Sequence, residues 1–393
     1  MDSGDTTFIL VSAALVLFMT PGLAFFYGGM VRSKNSLSTM MHSFILIGAI
    51  SVQWVLIGYT LAFGPDISGL IGGLDHIGLA GVGAEPGPYA ATIPGFAFMA
   101  FQMMFAIITP ALISGAFAER VKFSGFLLFS LLWATLVYDP LCHWVWGGGW
   151  MGADGAMDFA GGNVVHISAA ASAFIFVILL GKRQGFGSEP MPPHNLPFTV
   201  LGTGILWFGW FGFNAGSALA ADGTAALAFV TTNTAAATAS VTWVILDKIV
   251  KGKPTVLGAA SGAVAGLVAI TPAAGFVTPL AAIAMGLGAG VICFFAVEFR
   301  THKGFDDSLD VFAVHGMGGT FGALALGFLA TDKGGVEQFL IQLKSVVATY
   351  LFAMVMTFVI YKIVDLTVGM RVDEDAEYEG LDLSQHGEVG YNL

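Results

Sequence analysis

Eleven stretches of this chain run for about twenty residues or more with few ionisable side chains, the length an α-helix needs to cross a bilayer's hydrocarbon core. They fall at about 7–31, 38–63, 92–118, 122–142, 162–181, 197–219, 224–246, 255–273, 277–298, 311–330 and 339–365. The uncharged run from Pro254 to Val297 is too long for one helix, and TPAAG at 271–275 is its natural break. The runs are continuous, unlike the short alternating strands of an outer-membrane barrel. A soluble fold is excluded too. Part of any globule's surface faces water, and 56% of these residues are hydrophobic against 10% charged. The expected fold is an all-α polytopic membrane protein with eleven transmembrane helices.

Orientation follows from Lys and Arg, which cytoplasmic loops retain. Arg32, Lys34, Arg120, Lys122, Lys182, Arg183, Lys248, Lys251, Lys253, Arg300 and Lys303 fall at alternate connections, and Lys362 and Arg371 lie at and beyond the C-terminal end of the last span. Only Lys333 and Lys344 fall on the other side. A split of thirteen to two puts the N-terminus outside and the C-terminus inside, as an odd number of spans requires. The start MDSGDTTFIL has no basic n-region, so no cleavable leader is expected. Residues 1–365 read as a membrane domain and 366–393 as a cytoplasmic tail with seven carboxylates after Arg371. The net charge of −11 includes no basic patch that would suit nucleic acid. Cys142 and Cys293 form no metal or disulfide pattern, and neither a metal nor a cofactor is expected.

Two spans begin alike. The fifth reads VVHISAAASAF around His166, and the tenth reads AVHGMGGTFGA around His315. LISGAFA in the third and AASGAVAGL in the eighth give a weaker echo. Five spans are an odd number, so two copies of five would lie in opposite orientations, with an eleventh helix added. Inverted repeats of this kind place a substrate path at their interface near the midplane. Ionisable groups inside a membrane span are costly and usually mark such a path. His76, His143, His194, His302 and His386 are expected in loops or tail, and His42 near water at the cytoplasmic end of span two. His166 and His315 are the deep pair. At 1.5 Å per residue each lies only about 8–12 Å from the start of its own helix. They can therefore meet only if both helix starts are recessed below open vestibules.

FFYGGMVRSKN, FQMMFAIITP, GAFAERVKF, CHWVWGGGW, DFAGGNVVHI, WFGWFGFNAGSA, DVFAVHGMGG and EGLDLSQHGE, in this order along nearly the whole chain, resemble the ammonium transporter family (Amt/Mep, related to the Rhesus proteins). The resemblance implies an outer recruitment site for ammonium made by Trp146, Phe105 and Ser217, with Asp158 as a buried carboxylate supporting it. It implies a gate of Phe105 and Phe213, a pore carrying His166 and His315, and pore or vestibule positions at Phe101, Trp210 and Thr271. It also implies a homotrimer in the cytoplasmic membrane with one pore per subunit, methylammonium as a substrate analogue, and a PII-type signal protein docking at the cytoplasmic face.

The chemistry suits these residue types. Ammonium and potassium match in size and charge, but only ammonium donates hydrogen bonds and can lose a proton. Aromatic faces attract a cation by roughly 0.5–2 kcal/mol each, and a serine oxygen accepts a directed hydrogen bond. Asp158 could alternatively be an N-cap of span five. Two other classes compete: a sensor-transporter signalling through its tail, and a haem protein with bis-His ligation.

Overall fold

A computed structural model describes residues 1–391. Ten helices long and apolar enough to cross a bilayer, with one shorter apolar helix, account for the eleven expected spans. They are α1 Ser3–Met30, α2 Ser33–Phe63, α3 Gly95–Ser114, α4 123–146, α5 Gly162–Leu180, α6 Leu196–Ala218, α7 Gly223–Lys251, α8 Val256–Ile270, α9 Pro279–Lys303, α10 Phe312–Leu329 and α11 Val336–Thr367. Two short tail helices follow, α12 Glu374–Glu379 and α13 Leu381–His386. Two small antiparallel hairpins lie between α2 and α3, at 66–72 and 86–94.

The halves α1–α5 and α6–α10 repeat each other. α3 and α8 each stop short in a turn, α8 at the expected TPAAG break. α5 and α10 each open with a π-helical turn, Gly162–Ile167 and Phe312–Gly316. α1 and α6 cross closely because glycines let their backbones approach. A Cβ on Gly22 would lie 2.6 Å from Ile205 Cγ2, and one on Gly202 would collide with the backbone of Phe26. α11 packs along α5 and α10 and belongs to neither half.

Two histidine expectations are corrected. His143 is in no loop: α4 runs to Trp146, past the expected end at 142, and His143 is fully buried in its last turns. Its ring nitrogens lie 2.9 Å from the Ala62 carbonyl and 2.9 Å from Asp66 Oδ1. These contacts tie the end of α4 to the loop after α2 and hold the extra helical turn in place. His42 is 1% exposed, away from water. It is packed among Phe117, Phe123 and Phe126, with no protein partner for either ring nitrogen.

The cytoplasmic ends of the helices are joined by buried ion pairs. Glu119 meets Arg32 at 2.8 Å and Arg183 at 3.3 Å, and Arg183 meets Asp306 at 2.7 Å. Arg120 donates to the carbonyls of Gly181 and Asp306 at 3.0 and 2.7 Å. Burial pushes the Glu119 and Asp306 carboxyls up, but the surrounding guanidiniums, Arg183 foremost, outweigh it and hold both below the usual range. A depressed carboxyl stabilises the fold above its unfolded pKa, and that stability is lost as pH falls through the folded value. Glu119→Gln leaves two arginines short of a partner, and breaking a buried pair this way costs about 3–5 kcal/mol. Its thermal midpoint in detergent should fall well below the parent's at neutral pH, and the gap should close on acidification below the ordinary carboxylate range. An equal gap at all pH values would contradict this account.

The acidic tail is docked, not a solvated extension. Asp382 accepts from the Leu37 and Ser38 backbone N–H groups at 3.0 and 2.8 Å, capping the start of α2. Glu377 accepts from Gln184 N at 2.6 Å and from Arg371 at 2.8 Å. Val121 and Arg371 form an antiparallel bridge. Loss of one capping carboxylate costs roughly 1 kcal/mol. Asp382→Ala should therefore speed cleavage of the tail by a glutamyl endopeptidase several-fold, and an unchanged rate would mean that other contacts hold the tail.

Candidate functional site

The site is built around the start of α5. Asp158 receives four backbone N–H groups there, from Gly161 at 2.9 Å, Gly162 at 2.5 Å, Asn163 at 2.8 Å and Val164 at 3.3 Å. Both carboxylate oxygens are thus taken up by orphan donors of the helix terminus. Asp158 is a cap, and its carboxylate is turned to the helix instead of the outer cavity. Gly161 has φ +120°, a conformation open to glycine and costly for a side chain.

The other half repeats this arrangement. Asp307 accepts from Val311 N at 3.1 Å and Phe312 N at 2.7 Å, capping α10. Asp158 and Asp307 each precede the pore histidine by eight residues, so Asp307, not Asp310, is the counterpart of Asp158. Asp310 stands where the first half has Gly161, also at positive φ (+61°), and pairs with Arg300 at 2.6 Å.

Because each helix starts inside the bundle, a cavity opens beyond each start. The outer one, about 280 Å³, is lined by Phe105, Trp146 and Ser217 together with Tyr89, Gln102 and Phe159. Trp146 Nε1 donates to the Asp158 carbonyl at 2.8 Å, which fixes the indole. Ser217 donates its hydroxyl proton to the Phe213 carbonyl at 2.8 Å, so its lone pairs remain to accept. Phe101 packs edge-on to Phe105, with centroids 5.0 Å apart and no exposure of its own, so it backs the wall. Phe105 and Phe213 then meet at 4.3 Å between centroids, both 1% exposed. Rings this close leave no lumen between them.

Below the rings lies a cavity of about 10 Å³, lined by His166, Trp210, Phe213 and His315 among others. That is room for about one water-sized molecule. The rings form a column: Trp210 over His166 at 5.5 Å, and His166 over His315 at 5.2 Å. His166 Nδ1 and His315 Nδ1 are 3.2 Å apart. Such a contact needs one N–H and one lone pair, so at least one ring is neutral and, with both neutral, the pair holds opposite tautomers. His166 Nε2 is buried with no protein partner. Thr271 accepts from Trp210 Nε1 at 2.9 Å and donates to the Leu267 carbonyl at 2.7 Å, which sets the Trp210 indole in place. His315 also lines the inner cavity, about 110 Å³, beside Tyr27, Trp243 and Asp310.

The two histidines thus meet as their recessed helix starts require. Their direct contact leaves no space for a flat macrocycle between them, which removes the bis-His haem reading.

The profile of the Ammonium Transporter Family matches residues 7–391. The chain belongs to that family. It is 55% identical to a Bacillus subtilis ammonium transporter, covering 100% of this chain and 99% of the other. The crystal structure of Saccharomyces cerevisiae Mep2 superposes with a TM-score of 0.90 at 33% identity, covering 95% of this chain and 88% of that one. A structure described as a sensor Amt protein superposes at 0.91 with 28% identity and 98% coverage of both chains. As a member of the ammonium transporter family the chain is a membrane transporter or channel and not an enzyme. Within this family fold, motif reasoning missed Tyr89, Gln102 and Phe159 at the outer cavity, Trp243 at the inner one, and the cap Asp307. For Asp307 the equal Asp-to-His spacing was a usable signal. Gln102 and Phe159 sit beside named residues inside FQMMFAIITP and DFAGGNVVHI, whereas Tyr89 and Trp243 come from a loop and a helix face with no pattern of their own.

Proposed function

We propose that this chain takes up ammonium at the outer cavity, strips it of a proton at the Phe105–Phe213 gate, and passes ammonia along the His166–His315 column. One observation carries the reading: a closed ring pair separates an outer cavity that offers a hydroxyl acceptor from a one-molecule cavity flanked by paired imidazoles. Ser217 and the Trp146 and Phe105 rings suit a cation that donates hydrogen bonds, and potassium cannot use the serine in that directed way. An intact cation would lose its hydration at the rings at a cost of many kcal/mol. Neutral ammonia avoids most of that cost. Beyond the rings, one imidazole nitrogen can donate to ammonia and another can accept. Trp210 and Thr271 act by holding this column, and Phe101 by supporting Phe105. Asp158 acts indirectly, by fixing the start of α5 and the Trp146 indole.

The test is uptake of labelled methylammonium into proteoliposomes with simultaneous current recording. The parent should accumulate methylammonium and carry no potassium current. Ser217→Ala should raise the half-saturating concentration roughly tenfold, the value of one hydrogen bond to a charged group, about 1.5 kcal/mol. A parent protein that moves neither methylammonium nor ammonium would overturn the reading.

The assembly is proposed as a homotrimer in the cytoplasmic membrane. The tail, residues 366–393, is proposed as a regulatory arm that a PII-type signal protein can engage. A combined role as ammonium sensor is favoured by the docked tail, which caps α2 through Asp382 and so links the cytoplasmic surface to the bundle. Truncation after Met370 that spares uptake but abolishes signalling would support that role.

A further inference from the structure

One carboxyl inside the membrane lies on neither the bore nor a helix end. Asp139 stands within α4, seven residues before Trp146, and is 0% exposed. Its protein partner is an amide: Gln53 Nε2 on α2 donates to Asp139 Oδ2 at 2.7 Å and to Thr135 Oγ1 at 3.1 Å. Asp139 Oδ1 and Gln53 Oε1 have no protein partner. Among the described residues no Lys, Arg or His stands within ion-pair distance of Asp139. A carboxylate sealed from water with one amide beside it would cost far more than that hydrogen bond returns. A neutral acid avoids the cost, and a proton on Oδ1 complements the open Gln53 Oε1.

The pair sits where both helices depart from α-geometry. Gln53 immediately precedes a π-turn in α2, Trp54–Gly58, and Asp139 immediately follows one in α4, Ala134–Tyr138. Single π-turns inside α-helices are rare and frequently mark functional sites. If the α4 turn closed up as ordinary α-helix, everything beyond it would rotate by about 100°, one residue's share of a turn. The segment beyond it, Asp139–Trp146, ends on the wall of the outer cavity. It is pinned to α2 and the loop that follows at two levels, by Gln53 at Asp139 and by the Ala62 carbonyl and Asp66 at His143. The lower pin adjoins the π-turn, so it sets the register there.

We propose that Asp139, as the neutral acid, and Gln53 form a clamp that fixes the register of α4 and thereby holds Trp146 at the outer cavity. This rests on the proposed recruitment of ammonium at Trp146. Asp139 is a positioning residue and does not touch the cation. In such a clamp the buried polar pair selects one packing of the two helices and adds little stability.

The test is the concentration dependence of labelled methylammonium uptake by the full-length protein in proteoliposomes. The joint variant Gln53→Leu with Asp139→Leu replaces both polar groups by apolar ones, which strands no buried donor or acceptor of the pair and should preserve folding. Its half-saturating concentration should rise about tenfold, the order set by losing one aromatic face over a cation, while its maximal rate stays close to the parent's. Asp139→Asn is neutral and can both accept from and donate to the Gln53 amide, so it should stay within about twofold of the parent. In a Trp146→Leu background the joint variant should add nothing further. A joint variant with the parent's half-saturation, or one whose effect adds fully to that of Trp146→Leu, would overturn the clamp. So would Asp139→Asn as impaired as the joint variant, which would make Asp139 an attracting carboxylate. A joint variant that loses thermal midpoint and maximal rate together would show that the pair holds the fold and not the register, again against the proposal. Trp146→Leu with the parent's half-saturation would instead overturn the recruitment site itself, and the clamp's role with it.

Discussion

Asp158→Ala should abolish methylammonium uptake in proteoliposomes and lower the thermal midpoint of the purified protein. The carboxylate receives four backbone N–H groups at the start of α5. Each hydrogen bond to a charged group is worth about 1.5–3 kcal/mol, and a buried donor left unpaired costs about 1–3 kcal/mol. In alanine all four donors are stranded away from water. The π-turn Gly162–Ile167 then has no fixed origin, and His166 lies within that turn. Asp158→Asn separates capping from charge, because one amide oxygen still accepts while the charge is gone. If capping dominates, as the geometry argues, the Asn variant should keep part of both stability and uptake. If long-range attraction for the cation dominates, Asn should transport as poorly as Ala while staying folded. Parental uptake in Asp158→Ala would remove this residue from the site.

The legible part of this molecule was set by the membrane. A span without ionisable groups has few alternatives, so the eleven helices and the TPAAG break could be read from residue types alone. The inverted repeat was visible mainly as two Val-His pairs, because a bilayer-buried histidine stands out against a charge-free background. Other features depend on partners that are distant in the chain. His143 reads as a loop residue until Ala62 and Asp66 are seen to hold it, 81 and 77 positions away. His42 reads as a residue near water until three phenylalanines from other segments are seen to enclose it. The tail composition leaves both a solvated extension and a regulatory arm open, since acidic residues with few apolar neighbours lack a core of their own. It docks because the N-terminus of α2 and the cluster around Arg371 offer donors to Asp382 and Glu377. For Asp158 the residue type left capping and electrostatics open; its oxygens face the helix N–H groups, which shows the capping contacts, and Asp158→Asn tests the electrostatic part.

Removing either imidazole should do two things together: slow methylammonium and admit potassium. In His166→Ala, His315 Nδ1 loses its partner at 3.2 Å, and ammonia loses a donor or acceptor on its path. An unmet hydrogen-bonding group in a dry site costs about 1–3 kcal/mol, or roughly a 5- to 150-fold fall in rate. The deleted ring also enlarges a cavity of about 10 Å³ that otherwise holds a single small molecule. A larger void that exposes the His315 nitrogen left without its partner can admit water. Linked waters lower the desolvation barrier that excludes an intact cation. Current recorded under a potassium gradient should therefore rise in His166→Ala and in His315→Ala. His166→Leu should behave differently, because it keeps the bore filled and apolar: uptake falls while potassium stays excluded. The contrast between Ala and Leu tells a dry bore from a chemical filter. If potassium entered both variants equally, the imidazoles would exclude it by chemistry and not by dryness. If His166→Ala transported like the parent and passed no potassium, the paired imidazoles would not lie on the conducted path.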